Sequence, residues 1–434
     1  MRGVLVDVRP LRESRAFRAW WLGSTLSTFG GQLSAFALLY YVWVRTHDPA
    51  LVGAVGLVQL VATVAGALLG GTLADRFDRR RLVLVTRTGQ LVAAVALALL
   101  VLLALPLAAV FVVAAVETGF GATGSPANRS FTARLLPPER LGAGLAVARL
   151  ADQVSLLAGP VVAGLLTVSV GVAACFVLDA VSFVAAMRGV GRLPSMRPEP
   201  VAGPDLHGLA SGLRLVAASP VLLGAFATDV AATVLAMPLA VFPVVNAELY
   251  GGSPLTLGLF APAIGLGGIV AGALSGRVTG SPRQGRLMLV SAAVWGVALA
   301  GFGLSRSLPL ALACLALAGA ADTVSVVSRT SIVQHATPDA LRGRVNALDF
   351  LVGVSGPQLG NARAGLVASA TSGATSAALG GVTSLLAVLA VAAVSPALRR
   401  YTPVPAPAAS GHPRLETQAV TTSEDAVPPG HREG

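Results

Sequence analysis

The sequence predicts an all-α membrane protein in which twelve transmembrane helices form two pseudo-symmetric bundles of six. Three observations lead to this prediction. Hydrophobic residues make up 54% of the 434 residues and charged residues only 12%, with a mean hydropathy of +0.76, whereas about a quarter of the residues in a soluble domain are charged. Long apolar stretches follow one another along the chain, and several motifs recur after about 200 residues.

The apolar stretches are long enough to cross a membrane, because a helix of about 20 residues spans a hydrocarbon core of about 30 Å. Short polar or proline-containing segments such as 47–49 and 307–309 separate them. We predict spans at residues 18–44, 51–74, 82–104, 107–133, 142–168, 170–190, 218–246, 254–276, 286–305, 308–334, 343–370 and 374–397.

The distribution of arginine predicts the orientation of these spans. The chain has 31 basic residues, all of them arginine, and 20 acidic ones, for a net charge of +11. With a cytoplasmic N-terminus, 24 arginines fall on the cytoplasmic side and only Arg45 and Arg306 on the other, while five lie within or beside spans. Arginine is concentrated in the cytoplasmic loops of membrane proteins. We therefore expect a protein of the bacterial inner membrane with both termini in the cytoplasm.

An internal repeat divides the chain into two halves. Arg129 recurs as Arg329 after 200 residues, and the pair Gly159-Pro160 returns as Gly356-Pro357 after 197. Duplicated helical bundles are typical of transporters that bind a substrate between the halves near the middle of the membrane. We predict a cytoplasmic N-terminal tail at 1–17, bundles at 18–190 and 218–397, a cytoplasmic linker at 191–217, and a disordered cytoplasmic tail at 398–434.

The connection between the second and third spans, residues 71–81, reads GTLADRFDRRR. This segment resembles the loop signature of the major facilitator superfamily, although Asp78 stands where that signature has a second glycine. The matching residues are Gly71, Leu73, Asp75, Arg76, Arg79 and Arg80. The resemblance implies the major facilitator fold, in which two halves rock against each other, and a gating role for this loop.

Asp75 is positioned to stabilise a state that is closed on the cytoplasmic side. A carboxylate at a helix N-terminus contributes about 0.3–1 kcal/mol, and the start of the eleventh span is our candidate for that terminus. Asp75 can also pair with Arg129 at the inner end of the fourth span. We expect these residues to form a latch. The alternative is a positively charged cytoplasmic loop with incidental acidic residues.

The fifth span contains Gly159, Pro160 and Gly164 in the sequence SLLAGPVVAG. A proline inside a helix removes a backbone hydrogen bond and bends the helix, and small residues let a neighbouring helix approach closely. The sequence resembles the antiporter signature of the superfamily, which implies that the neighbour is the eighth span and that the protein is an exporter. Ordinary packing of small residues is the alternative.

Three further segments, 128–130, 137–140 and 337–346, resemble the branch of the superfamily that contains the enterobactin exporter and drug-efflux proteins. This resemblance implies proton-driven export of a siderophore, a drug or another amphipathic small molecule. The arginine of the usual exporter pattern in the fourth span is absent from residues 112–121, where Glu117 is the only charged residue.

Carboxylates inside the predicted spans are the candidates for proton coupling. A charge in the bilayer costs at least about 2.5 kcal/mol, so such a residue faces a cavity or a partner. Glu117, Asp229 and Asp322 lie near the middle of the fourth, seventh and tenth spans, which line the cavity in the resembled fold, and Gln32 of the first span can contact the substrate. The alternative for each is a polar contact that positions helices, and Asp179 could serve either purpose.

Other function classes lack their signatures. No G-x-x-x-x-G-K-[ST] phosphate loop or H-E-x-x-H metal motif is present, so we expect neither an enzyme nor a bound cofactor or metal. Few aromatic residues accompany the arginines, so nucleic acid is not an expected partner; we expect a monomer that engages protons, lipid and a small-molecule substrate. Uptake by a proton symporter or uniporter, or sensing without transport, are the alternatives.

Overall fold

The computed structural model describes residues 7–197, 206–274, 276, 278 and 281–402, and all regular structure in that part is helical. The predicted terminal tails and the linker therefore lie partly outside the described residues. Where these segments are described, they include short helices at Arg9–Glu13, Leu206–Ala218 and Pro396–Arg399.

Six long helices form the N-terminal half. Three of them begin at polar N-caps, because the side chains of Ser14, Asp48 and Asp78 accept hydrogen bonds from backbone N–H groups of the first turn. The helices are α1 (Arg15–Thr46), α2 (Pro49–Arg76), α3 (Arg79–Leu102), α4 (Leu107–Arg129), α5 (Pro138–Ser169) and α6 (Ala173–Gly191).

The C-terminal half repeats this arrangement. Its long helices are α7 (Pro220–Ala236), α8 (Pro254–Ala273), α9 (Gln284–Leu304), α10 (Leu308–Ala336), α11 (Arg342–Ala370) and α12 (Gly373–Val394). The seventh predicted span is broken, because Met237 before Pro238 has an extended backbone, as expected for a residue that precedes proline. A 3₁₀ turn at Leu239–Val241 and a helix at Phe242–Leu249 complete this span.

Ten helical segments of the described residues are long and apolar enough to cross a membrane. The two other long helices, α1 and α11, contain 32 and 29 residues, so length is not what distinguishes them. They are less apolar: α11 alone contains Arg342, Arg344, Asp349 and Arg363. The polar helices thus include one member of each half.

The two halves contact each other mainly at one end of the bundle. We call the end at which Asp7 and Thr402 lie the terminal end, and the opposite end the distal end. Between the halves, α2 packs against α11 and α5 against α8. A Cβ atom added to Gly53 would lie 3.0 Å from Cα of Gly365, and one added to Gly258 would lie 2.7 Å from the carbonyl oxygen of Pro160. These close contacts belong to the distal half of each helix.

The hydrophobic clusters show the same asymmetry. The largest cluster includes Phe36 of the N-terminal half together with Phe242 and Phe260 of the C-terminal half. At the terminal end, the cluster around Phe17 contains only residues of the N-terminal half, and the cluster around Val345 contains only residues of the C-terminal half. The halves therefore share a core at the distal end and have separate cores at the terminal end.

Candidate functional site

A buried ion cluster joins three helices of the C-terminal half. Nη1 of Arg329 on α10 lies 2.5 Å from Oδ2 of Asp229 on α7 and 3.3 Å from Oδ1 of Asp349 on α11. The side chains of Arg329 and Asp229 are 8% and 11% exposed. Because a charge removed from water needs a partner, Arg329 and Asp229 depend on each other.

Asp322 lies about two turns before Arg329 on the same face of α10, and it interacts electrostatically with Asp229 and Arg329. Asp229, Asp322 and Arg329 line one cavity of about 400 Å³, which also has Trp295 of α9 and Gln153 of α5 in its wall. The cavity therefore lies between the two halves. Its wall combines charged groups with apolar side chains such as Met237, Leu239 and Ile264.

The N-terminal half has its own cluster of buried charges. Asp179 on α6 is fully buried and accepts hydrogen bonds from Oγ of Ser34 at 2.5 Å and from Oγ of Ser182 at 3.1 Å. The carboxyl group of Glu117 on α4 interacts electrostatically with Asp179. Two neighbouring carboxyl groups away from water disfavour a state in which both are ionised.

Arg87 on α3 completes the N-terminal cluster. It donates hydrogen bonds of 3.0 Å to Oγ of Ser27 and to Oε1 of Gln90, and its guanidinium lies 5.8 Å from the centre of the Phe183 ring. Its charge also acts on Asp179. A small cavity of about 160 Å³ reaches Glu117 and has Gln90 in its wall.

The residues predicted on the fifth span lie at the contact between the halves. Gly159 of α5 packs against Gln32 of α1, so this glycine holds the candidate substrate contact close to α5. Gly164 and Pro160 lie against the first residues and the second turn of α8. Gln32 and Pro160 also line a cavity of about 160 Å³ that includes Phe242 and Leu257 of the other half.

The predicted latch is not formed in this conformation. Asp75 forms no ion pair or hydrogen bond within the described residues. The guanidinium of Arg129 instead lies 5.5 Å from the ring centre of Phe350 on α11, across the gap between the halves. Gly71 has open space beside it, and Arg76 is exposed at the end of α2. Arg129 thus contacts the other half through an aromatic ring.

Other residues of the loop tie α3 to the end of α6. Nη2 of Arg80 donates a hydrogen bond of 2.6 Å to the carbonyl oxygen of Gly191, and the backbone N–H of Arg79 donates one of 3.0 Å to Met196. Oδ2 of Asp78 accepts from Oγ of Ser195 and from the backbone N–H of Met196, both at 2.7 Å. Partial burial acts to raise the pKa of Asp78, but these hydrogen bonds outweigh it and hold the pKa below its ordinary value.

Sequence reasoning did not identify several members of the two clusters. Arg87 was treated only as an arginine within a span, and Asp349 of α11 was not among the coupling candidates. Both are charges inside predicted spans, which is the signal that singled out Glu117 and Asp322. Arg363 of α11 is half-buried, with its Nε atom lacking a partner among the described residues. Nowhere in the described part do three or more His, Cys, Asp or Glu residues come together as metal ligands.

Comparisons with known proteins agree with this architecture. The profile of the family described as "Transmembrane secretion effector" matches residues 7–419. The chain is similar to the enterobactin exporter EntS of Shigella flexneri, at 30% identity over 92% of this chain and 97% of the relative. EntS of Shigella boydii is 29% identical over the same shares.

Solved structures confirm the fold. The chain is similar to nucleoside transporter NupG, with a TM-score of 0.72 and 14% identity over 89% of this chain and all of that one. A bacterial homologue of the iron transporter ferroportin in an inward-facing state gives a TM-score of 0.66 at 18% identity, over 89% of this chain and 99% of that one. The predicted all-helical membrane fold is therefore confirmed.

Proposed function

Because the chain belongs to the transmembrane secretion effector family of the major facilitator superfamily, we propose that it exports an amphipathic small molecule in exchange for protons. Transporters of this superfamily are not enzymes, and the protein is a multi-pass membrane protein. The bacterial inner membrane, with both termini in the cytoplasm, is the location that the arginine distribution favours.

The ion cluster on the wall of the central cavity supports proton coupling. Asp229 and Asp349 both form ion pairs with Arg329. Asp322 interacts electrostatically with Asp229 and Arg329. A proton taken up by Asp229 would remove its attraction to Arg329 and free α7 from α10. Because this change occurs in the wall that a substrate would contact, protonation and substrate binding would compete there. Asp229 and Asp322 are the proposed proton acceptors of the C-terminal half.

Glu117 is the proposed proton acceptor of the N-terminal half, with Asp179 as its partner. Two neighbouring carboxyl groups away from water favour a state in which one of them carries a proton, and the positive charge of Arg87 acts on Asp179. Loss of that proton would leave two neighbouring negative charges and would push α4 away from α6. This half can therefore also respond to a proton.

The cavities favour a small amphipathic substrate. A volume of about 400 Å³ lies within the range of about 300–1,000 Å³ that is usual for small-molecule sites. The adjoining cavity beside Gln32 has a mainly apolar wall, so a substrate with one polar and one apolar end would fit both. A siderophore or a drug has this character, and the relatives named enterobactin exporters make a siderophore the first compound to test.

We propose that this conformation is one of the two end states of an alternating-access cycle. With the terminal end in the cytoplasm, contact at the distal end describes a state closed to the outside. In the opposite state the terminal ends would meet, and we propose that Asp75 then pairs with Arg129 or with the start of α11. The gate would also involve Gly71, Arg76, Arg79 and Arg80, of which Arg79 and Arg80 anchor the loop to the end of α6.

Everted membrane vesicles from cells that express the protein test proton-coupled export. When respiration acidifies the vesicle interior, an exporter should accumulate enterobactin or ethidium inside, and the added substrate should release protons that a pH-sensitive dye detects. The variants Glu117→Gln, Asp229→Asn and Asp322→Asn should lose proton-driven accumulation while the protein still reaches the membrane. Glu139→Gln removes an exposed acid at the terminal end and should behave like the wild type.

The direction of accumulation separates export from uptake. Accumulation in right-side-out vesicles, and none in everted ones, would identify a symporter or uniporter instead. Unchanged accumulation in all three carboxylate variants would contradict the proposed coupling sites. Binding of either compound without any flux would identify a sensor.

A further inference from the structure

A second cavity lies on the C-terminal half, apart from the site described above. It has a volume of about 580 Å³ and is formed by the terminal ends of α9 and α12 together with residues that follow α12. None of its lining residues belongs to the cavity between the halves. Val290 of α9 and Leu389 of α12 are each 52% exposed in its wall, so the cavity opens to the outer surface of the bundle.

Four arginines surround the mouth of this cavity: Arg283, Arg286, Arg399 and Arg400. All four are exposed, and none of their side chains forms a hydrogen bond or ion pair within the described part of the chain. Arg140, in contrast, pairs with Glu13 at 2.9 Å. The lining contains no acidic residue. The mouth therefore has an uncompensated positive charge and suits an anion.

Below the arginines, the wall is apolar. It consists of Leu289, Val290 and Ala293 on α9 and of Val388, Leu389 and Ala392 on α12. From Arg286 to Ala293 the helix rises about 10 Å, at about 1.5 Å per residue. An anionic group held at the mouth could therefore continue as an apolar chain along the two helices. A free inorganic anion would leave this wall uncovered.

We propose that this cavity is a binding site for an anionic phospholipid, with its phosphodiester between the arginines and an acyl chain against α9 and α12. Basic pockets at the ends of membrane helices suit anionic headgroups, and each arginine near the surface contributes about 1 kcal/mol. The hydroxyl groups of Tyr401 and Thr402 lie in the same wall and can donate to phosphate oxygens. The inference requires only that the bundle spans a membrane, so it does not depend on the proposed export.

Native mass spectrometry of the full-length protein in detergent tests this site. Dioleoyl-phosphatidylglycerol should bind saturably with one tight site, and dioleoyl-phosphatidylcholine, which has the same acyl chains, should not. The variant Arg399→Gln/Arg400→Gln should weaken binding of phosphatidylglycerol about 30-fold, from two lost contacts of about 1 kcal/mol each. The matched control Arg188→Gln/Arg192→Gln removes two exposed arginines at the equivalent end of α6 and should leave the affinity unchanged.

A second variant tests the apolar wall. Ala293→Trp fills the cavity and keeps every arginine, so it should also abolish tight binding of phosphatidylglycerol. Binding that depended only on attraction to the arginines would persist in this variant. Glycerol 3-phosphate at millimolar concentration should not compete, because it lacks the acyl chain. Equal loss in both arginine variants, or competition by glycerol 3-phosphate, would overturn the proposal.

The acidic residues of the C-terminal tail are the rival occupants of the cavity. In full-length protein with Glu416→Gln, Glu424→Gln and Asp425→Asn, phosphatidylglycerol should bind as tightly as in the wild type. Tight binding that appears only in this variant would assign the cavity to the tail and would also overturn the proposal.

Discussion

Replacement of Arg329 by glutamine tests how strongly the buried ion cluster supports the C-terminal half. The variant leaves Asp229 without its partner at 2.5 Å and Asp349 without its contact at 3.3 Å. Removal of one member of a buried ion pair costs about 3–5 kcal/mol, because the remaining charge stays buried and uncompensated. Asp349 is 24% exposed and keeps some hydration, so most of this loss comes from Asp229. We expect the free energy of unfolding to fall by about 3–5 kcal/mol.

A double-mutant cycle separates the ion pair from other effects of the substitution. Asp229→Asn leaves Arg329 with Asp349 as a partner, so it should cost less than Arg329→Gln. The double variant Asp229→Asn/Arg329→Gln removes both charges and should recover about 0.5–3 kcal/mol relative to the sum of the single losses. Titration of the purified protein in mild detergent with sodium dodecyl sulfate, followed by tryptophan fluorescence, measures these free energies.

Arg140→Gln is the matched control for this cycle. Arg140 binds Glu13 through two hydrogen bonds of 2.9 and 3.0 Å, but Glu13 is 50% exposed. Exposed ion pairs contribute at most about 1 kcal/mol. If Arg329→Gln destabilises the protein no more than Arg140→Gln, or if the double variant shows no recovery, the buried ion pair contributes no more to stability than an exposed one. Either result would refute our reasoning.

Two further predictions concern the ends of the bundle. Asp78→Asn should cost about 1 kcal/mol at pH 7, because asparagine can still cap α3 but its amide nitrogen cannot accept the hydrogen bonds that Oδ2 of Asp78 receives from Ser195 and Met196. Since the folded pKa of Asp78 is lowered, this stabilisation is present above the unfolded pKa of about 3.9 and is lost as the pH falls through the folded value. The melting temperatures of the variant and the wild type, measured in nanodiscs, should therefore converge below about pH 4, and a constant difference would argue against the charge. Gly365→Leu places a side chain where Gly53 of the other half approaches, so it should push the two halves apart at the distal end. Spin labels on distal loops of the two halves should then report longer distances. An unchanged distance distribution would show that this contact does not stabilise the conformation.

The helices could be predicted because apolar runs of sufficient length recur along the chain. The break in the seventh span could not, because residues 218–246 are apolar on both sides of Pro238 and a span can bend at proline without breaking. The short helix Leu206–Ala218 was also missed, since it lies in a segment whose prolines and charges indicated a linker.

The site could be predicted only as single residues. Glu117, Asp229 and Asp322 stand out because a charge within an apolar span requires a reason. Their partners do not stand out: Arg329 lies 100 residues from Asp229 in sequence, and only packing of α7 against α10 brings them together. The repeat was in part misleading, because Arg129 and Arg329 occupy equivalent positions but have different partners.

This difference between the equivalent arginines links the proposed gate to the proposed proton site. Arg129 contacts Phe350 across the gap between the halves, whereas Arg329 binds Asp349 within its own half. Phe350 and Asp349 are consecutive residues of α11 and point about 100° apart around the helix, one toward each arginine. Any movement of α4 against α11 that shifts Phe350 therefore also moves Asp349 and changes the distance between Asp349 and Arg329. Closure of the terminal end and protonation of the C-terminal cluster would then be coupled through a single turn of α11.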